Sequence, residues 1–353
     1  MLRSEVILRF LSTVTEPESS ILDNAFLFLP QSISGHLAKS LVTAWSSTLS
    51  TAKPGLIVIL GATATGKTRL AIDLATAWHL PILSADSRQV YRYFDIGTAK
   101  PTIVERQQVP HFLIDIVAPD TSLTLAEHQT AANTLITQFH SQGITPILVG
   151  GSGLYIKAIV SGLQMPQVPP DLELRQQLTN LGQSQCHQLL QQVDPASAGR
   201  IHPHDAVRTL RALEVFYVTG RSLSAQQAEQ PPSYPIWQCG ITMPATAIYQ
   251  ARIRHRVEQM LADGWLDEVE SITARYGVDL PLLRTLGYGE LMDFRAGKTD
   301  LPTAIDLIVK HTYQFGKRQR TWFRGSGHGS LGIHWLDSGA SWQDIAAFIT
   351  NWT

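Results

Sequence analysis

Short apolar runs alternate with amphipathic stretches over the first half of this chain. Leu56-Ile-Val-Ile-Leu60 predicts a buried strand over 56–60, and similar runs predict strands over 81–85, 112–117 and 146–150. Residues 69–79 suit a helix after the first strand. Between the last two strands, Leu125, Ala132, Ile136 and Phe139 share a helical stripe that Gln129 interrupts. Thr124 and Glu127 form a capping box at its start, so Glu127 reads as a cap rather than a catalyst. This alternation predicts an α/β fold, with a parallel sheet flanked by helices on both faces. Ligands in such folds sit beyond the carboxyl ends of the strands.

After Gly162 the strand signal fades. Proline-rich stretches at 165–170 and 230–235 read as connectors. Between them, residues 171–224 look helical, with breaks at Gly182, Pro195 and Pro203. A strand over 237–243 then returns to the sheet. Helices are expected at 245–262, 265–276, 288–295 and 301–324, followed by a short strand at 333–336 and a last helix. The pattern divides the chain into an N-terminal extension of unassigned role (1–54), the first part of a core (55–164), a smaller helical insertion domain (165–235) and a segment completing the core (236–353). Ser and Thr are frequent in the extension. Glu5, Glu16, Glu18 and Asp23 argue against a transit peptide, and no secretory pattern follows Glu5. A loosely structured extension, or a start codon placed too early, is expected.

Composition narrows the class. The 353 residues carry 44% hydrophobic and 16% charged residues, which is globular. No run of eighteen apolar residues occurs, so no membrane helix is expected. The two cysteines, Cys186 and Cys239, lie far apart and fit a reducing cytoplasm. With a net charge of −1, nucleic-acid binding requires locally concentrated basic residues.

The chemistry begins at Gly61-Ala62-Thr63-Ala64-Thr65-Gly66-Lys67-Thr68, which reads G-x-x-x-x-G-K-[ST] between a strand and a helix. The glycines let successive N–H groups curl inward and the helix N-terminus adds positive potential. Lys67 supplies a point charge, and the Thr68 hydroxyl suits Mg²⁺. A diphosphate or polyphosphate ligand follows. Two strand-end carboxylates, Asp86 and Asp115, are each candidates to order a metal or to cap a turn, and spacing does not choose between them. Arg252 and Arg256 share a helix face, either as a cation pair on phosphate or as a solvated face. On 301–324, Lys310, Tyr313, Lys317, Arg320 and Arg324 fall on one side, and Ile305, Ile308, Thr312, Phe315 and Trp322 on the other. A basic stripe over a buried face suits RNA, or an ordinary amphipathic helix. His202 and His204 flank Pro203, a weak pattern for a metal site and a better one for a turn.

Further segments carry a resemblance: Asp86-Ser87-Arg88-Gln89, residues 95–101, Val149-Gly-Gly-Ser152-Gly-Leu-Tyr155, His202-Pro-His-Asp205 with Arg208 and Arg211, Leu286-Gly-Tyr288, and Lys317-Arg318-Gln-Arg320-Thr-Trp-Phe-Arg324. From about residue 55 to 338 the chain resembles the tRNA dimethylallyltransferase (tRNA isopentenyltransferase) family. The resemblance implies transfer of a dimethylallyl group from dimethylallyl diphosphate to N6 of the adenosine 3′ to the anticodon (position 37), in tRNAs reading codons that begin with U, with release of diphosphate. It implies Asp86 as the base at N6, with Ser152 beside it, and leaves Asp115 a supporting role. It places the diphosphate on residues 61–68, Arg252 and Arg256, with Mg²⁺ at Thr68.

The anticodon stem-loop is implied to contact Asp86, Ser87, Arg88, Gln89, Ser152, Arg208, Arg211, Arg284, Tyr288, Lys317, Arg318, Arg320 and Arg324. Ser152 stands where the family often has Thr, keeping the hydroxyl, and Gly289 where some members carry Arg. The zinc-finger extension of some larger relatives is lacking. A cytoplasmic monomer is expected. Other readings of the phosphate loop are prenyl transfer to a free adenine nucleotide, a small-molecule kinase, and a non-enzymatic RNA-binding switch. A kinase leaves the helical insertion and the basic helix unexplained, and a switch leaves Asp86 unexplained.

Overall fold

A computed structural model of the chain describes residues 53–166, 168–325 and 332–350. The N-terminal extension expected over 1–54 lies, but for its last two residues, outside the described residues. The described chain forms two compact units. One contains residues up to 156 and from 233 onward, and the other residues 157–232.

In the first unit the elements run β1 (Leu56–Gly61), α1 (Lys67–Trp78), β2 (Ile82–Ser84), α2 (Ile103–Gln108), β3 (His111–Phe112), α3 (Leu125–Ser141), β4 (Ile147–Gly150) and α4 (Gly153–Val160), which crosses into the second unit. The second unit continues with β5 (Leu163–Gln164), α5 (Leu172–Leu181), α6 (Gln183–Val193), α7 (Pro195–Ala198), α8 (Ala206–Thr219), α9 (Leu223–Gln226) and β6 (Ala228–Glu229). The chain returns through β7 (Ile236–Ile241), α10 (Thr246–Ala262), α11 (Trp265–Tyr276), α12 (Tyr288–Arg295), α13 (Leu301–Arg324), β8 (Ile333–Leu336) and α14 (Trp342–Thr350).

Six strands form one sheet in the order β3-β2-β4-β1-β7-β8, with every pairing parallel. Because β1 lies between β4 and β7, every residue of its run is buried, which is why the run is continuously apolar. On one face Ile57, Ile59, Ile82, Ile147 and Cys239 pack against Leu70, Leu74 and Ala75 of α1 and Ile345 and Ile349 of α14. Connections leave β1 towards β2 and, later, return on its other side at β7. The carboxyl end of β1 is thus a switch point, where such sheets open a crevice.

The third strand is shorter than its apolar run predicts. β3 stops at Phe112 because Leu113 and Asp115 turn into the left-handed region, with φ of 64° and 59°. Asp115 N–H then donates to the Gln89 carbonyl at 3.1 Å, and its carboxylate meets Lys100 and Arg106. A run that looked like a strand is half strand and half a turn that aims a carboxylate.

The second unit has its own core of Leu178, Cys186, Leu190, Ala198, Ala212 and Leu213. Glu214 in α8 is fully buried and ion-paired with Arg175 (2.8 Å) and Arg211, while also accepting from Asp171 N–H at 2.8 Å. Burial alone pushes its carboxyl up, but the hydrogen bonds from Arg175 and Arg211 win and hold it below the usual carboxylate range. This contribution is present above the unfolded carboxyl's value and is lost as pH falls through the folded one. Glu214→Ala removes the shared anion from two arginines and is expected to cost about 3–5 kcal/mol, read by denaturant unfolding.

Candidate active site and nucleic-acid interface

At the end of β1, Gly61 adopts φ 145°, where a Cβ would lie 2.8 Å from the Ile241 carbonyl oxygen. Gly66 caps α1 at φ 96° with no side chain occupying the cap. The first amides of that helix have no partner within it and stay free for an anion. Thr65 donates its hydroxyl to the Ala62 carbonyl at 2.8 Å, and buried Lys67 reaches the same oxygen. Burial, reinforced by the Arg256 charge and opposed by Asp86, lowers the Lys67 ammonium to about 7. A cavity of about 270 Å³ lies over this loop. Thr63, Ala64, Gly66, Lys67 and Thr68 line it, while Gly61, Ala62 and Thr65 lie beneath, buried.

Asp86 follows β2 and lines the same cavity. Its Oδ1 accepts from the Arg88 N–H at 2.8 Å and lies 3.4 Å from the Gln89 N–H, which fixes the turn and the carboxylate with it. Arg256 of α10 lines the cavity too and feels the Asp86 charge. Arg252, one turn earlier, is exposed and does not line the cavity. Asp115 is committed to Lys100 and Arg106 and stays off the cavity wall, so of the two strand-end carboxylates only Asp86 faces the cavity.

Ser152, just before α4, accepts from the Ser87 N–H at 3.1 Å and so braces the Asp86 turn from β4 without lining the cavity. Gln89 accepts from the Ser84 hydroxyl at 2.9 Å and donates to the Ala99 carbonyl at 3.1 Å, tying the turn to the 98–101 wall. That wall is held from below. The Glu268 carboxylate of α11 accepts from the consecutive N–H groups of Asp95 (2.8 Å), Ile96 (2.7 Å) and Gly97 (3.2 Å), and from the Tyr288 hydroxyl at 2.6 Å. Trp265 packs under Gly97 so closely that a Cβ there would lie 2.1 Å from its indole nitrogen.

The predicted RNA contacts divide into two groups. Lys317, Arg318 and Arg324 of α13 are exposed, Arg320 is half-buried, and Arg284, Arg208 and Arg88 are exposed. Tyr288 is a correction. It is fully buried with its hydroxyl on Glu268, so it supports the cavity wall and has no surface to offer RNA. Arg211 is held by Glu214 and by the Val168 carbonyl at 2.9 Å, a structural engagement that leaves Arg208 the freer cation on α8. The buried face of α13 also differs from the expected stripe. It consists of Ala304, Ile308, Val309, Gly316, Gln319 and Phe323, whereas Phe315 is 40% exposed and lines the cavity. Gln319 and Tyr249 are not predicted from sequence, because Gln319 is a neutral polar residue within a basic run and Tyr249 falls in step with Ile253 and Val257, where it reads as packing alone. Gln319 accepts from the Thr63 N–H at 2.8 Å, and the Tyr249 hydroxyl donates to the Thr63 carbonyl at 2.8 Å. Among the described residues no cluster of three His, Cys, Asp or Glu forms a metal site, which includes His202, His204 and Asp205.

A phosphate loop at the hub of a parallel sheet, sharing a cavity with a carboxylate from the next strand but one, defines a P-loop protein. The profile of the family described as IPP transferase matches residues 89–326. The tRNA dimethylallyltransferase of Acaryochloris marina is 55% identical over 298 residues, covering 83% of this chain and 97% of its own. That of Thermosynechococcus vestitus is 58% identical over 284 residues, covering 80% and 90%. The tRNA isopentenylpyrophosphate transferase structure from Bacillus halodurans superposes with a TM-score of 0.61 at 35% identity, covering 85% of this chain and 95% of that one. The chain belongs to the IPP transferase family. No helix among the described residues is long and apolar enough to cross a membrane.

Proposed function

We propose that this protein transfers a dimethylallyl group from dimethylallyl diphosphate to N6 of adenosine 37 in tRNAs reading codons that begin with U, releasing diphosphate. The observation that carries this reading is one cavity lined by Lys67, Thr68, Arg256 and Asp86, with cations for a leaving diphosphate and a carboxylate for an amine. The amide groups at the start of α1, Lys67 and Arg256 hold the diphosphate. As the allylic carbon–oxygen bond breaks, they receive the growing negative charge. N6 attacks that carbon, and the Asp86 carboxylate orients the amine and accepts its proton as the new carbon–nitrogen bond forms. The cavity's hard oxygen donors include the Thr63 and Thr68 hydroxyls and the Asp86 carboxylate, and Thr68 would hold Mg²⁺ whose remaining positions are filled largely by the substrate's phosphate oxygens and water. Mg²⁺ would add neutralising charge at the diphosphate. The adenosine must leave its stack to reach Asp86, with flanking nucleotides held by Ser87, Arg88 and the exposed cations of α13.

Incubation with dimethylallyl diphosphate, Mg²⁺ and unmodified tRNA is expected to release diphosphate and leave prenylated adenosine in the tRNA, read by nucleoside mass spectrometry. Prenylation of AMP or ADP but not of tRNA would replace the acceptor, and transfer only of an ATP γ-phosphate would replace the reaction. Lys317→Ala is expected to weaken tRNA binding uniformly and reduce the slope of log affinity against log salt by about 1. An unchanged slope removes Lys317 from the interface.

A further inference from the structure

We propose that Gln319 is a positioning residue that sets the phosphate loop for its diphosphate and makes that loop and the basic helix α13 one mechanical body. The coupling half rests on the RNA-facing role proposed for α13, and the loop half does not.

Gln319 is 8% exposed on a helix whose neighbouring positions 317, 318 and 320 are all cationic. Both ends of its amide are engaged across long stretches of sequence. Oε1 accepts from the Thr63 N–H at 2.8 Å, and Nε2 donates to the Gly151 carbonyl at 2.8 Å. The amide thus stitches the loop after β1 to the turn after β4, on either side of the cavity floor. The Thr63 peptide is gripped a second time, because the Tyr249 hydroxyl donates to its carbonyl at 2.8 Å. Two glycines make room for this clamp. A Cβ at Gly151 would lie 2.5 Å from Gln319 Nε2, and one at Gly316, one turn earlier on α13, 2.1 Å from the Tyr249 hydroxyl.

The loop needs such support. Ala64, next to the clamped peptide, sits at φ 56°, a left-handed conformation that costs an alanine of order 1 kcal/mol and persists only where surroundings impose it. A buried amide at a position where the helix's packing face calls for an apolar residue is retained only if both its ends are satisfied. Here the partners that satisfy it belong to the phosphate loop and its facing turn. A shift of α13 on binding RNA therefore carries the Thr63 peptide with it, and a helix steadied by RNA steadies the loop.

The test uses Gln319→Met, which keeps volume and loses both bonds, and Gln319→Glu, which keeps an acceptor for Thr63 but turns an oxygen on the Gly151 carbonyl. Tyr249→Phe removes only the second grip. Affinity for inorganic diphosphate with Mg²⁺ is measured by calorimetry, alongside thermal melting and initial rates against both substrates. Gln319→Met is expected to weaken diphosphate binding about tenfold and raise KM for the donor similarly, with KM for tRNA changed less than about threefold. Gln319→Glu falls between it and wild type, and Tyr249→Phe loses about threefold. In wild type, a saturating anticodon stem-loop is expected to tighten diphosphate binding, and Gln319→Met abolishes that gain.

Diphosphate affinity within about twofold of wild type in folded Gln319→Met overturns the proposal, as does an equal loss in both KM values that tracks a lowered melting temperature. If Gln319→Met fails to fold, Gln319→Glu decides on the same criteria, because it disrupts the bond to the Gly151 carbonyl. Because inorganic diphosphate binds without any transfer, this result stands apart from whether tRNA proves to be the acceptor.

Discussion

Asp86→Asn is expected to lower kcat for prenyl transfer by about 10²–10⁴-fold, the usual contribution of a positioned general base. Affinity for diphosphate should hardly change. The substitution is conservative where the structure needs it to be. The asparagine side-chain oxygen can still accept from Arg88 N–H, so the turn after β2 keeps its shape. The amide lacks the negative charge, which bears on Lys67 and Arg256, and the capacity to take a proton from N6. Single-turnover rates with saturating donor and tRNA, set beside calorimetric binding of diphosphate, separate the two effects. Normal turnover with a large loss of affinity would show that Asp86 serves the loop and not the amine.

Lys67→Met is expected to have two large effects of opposite sign. It should weaken diphosphate binding by about 10–100-fold, since a charge-assisted contact is lost from a buried site. It should also stabilise the ligand-free protein. Lys67 falls from its ordinary 10.5 to about 7 when folded, chiefly through burial. Between those values the unfolded chain binds more protons, so the Lys67 contribution improves as pH rises from about 7 to 10.5 and is worst below 7, where a charged ammonium is forced into the core. Removing it relieves a cost on the order of 4 kcal/mol at neutral pH, and the melting temperature should rise by several degrees. The same shift predicts that wild-type protein takes up a proton on binding diphosphate near pH 8, because the arriving anion restores the ammonium. Calorimetry in buffers of different ionisation enthalpy measures that uptake. It should vanish in Lys67→Met and fade below about pH 6. Equal proton uptake by wild type and variant would assign it to the diphosphate alone.

The readable parts of this chain are those where one physical demand dominates. Burial on both faces wrote the apolar run of β1, and the loop that follows has a residue order few other structures need. The helices α10 to α13 declared themselves through periodicity and their flanking Gly or Asp residues. The unreadable parts are those where two demands compete. Residues 113–117 have strand composition, but left-handed turns at Leu113 and Asp115 bend them towards Lys100. Helix α13 packs through a glycine and a glutamine, so its inner face does not look apolar, and Phe315 is turned out to line a cavity. Tyr288 and Arg211 have surface-seeking groups, yet each is drawn inward by a carboxylate far off in sequence or one turn away, Glu268 and Glu214. Local sequence does not announce Glu268, twenty residues away, and the i,i+3 spacing of Arg211 and Glu214 does not reveal that the glutamate is buried.

Two of the chain's curled runs of amides, at 95–97 and 61–68, are treated differently. At residues 95–97 the guest is permanent, a side-chain carboxylate sent across from α11. At residues 61–68 no carboxylate among the described residues bonds to the amides, and the Thr63 N–H is met by a neutral amide, Gln319. A single carboxylate introduced within reach of Gly66, for instance Ala64→Glu, would turn the second place into a copy of the first: a better-settled protein, closed to its substrate by its own hand. Staying receptive, for this fold, means keeping one hunger unfed.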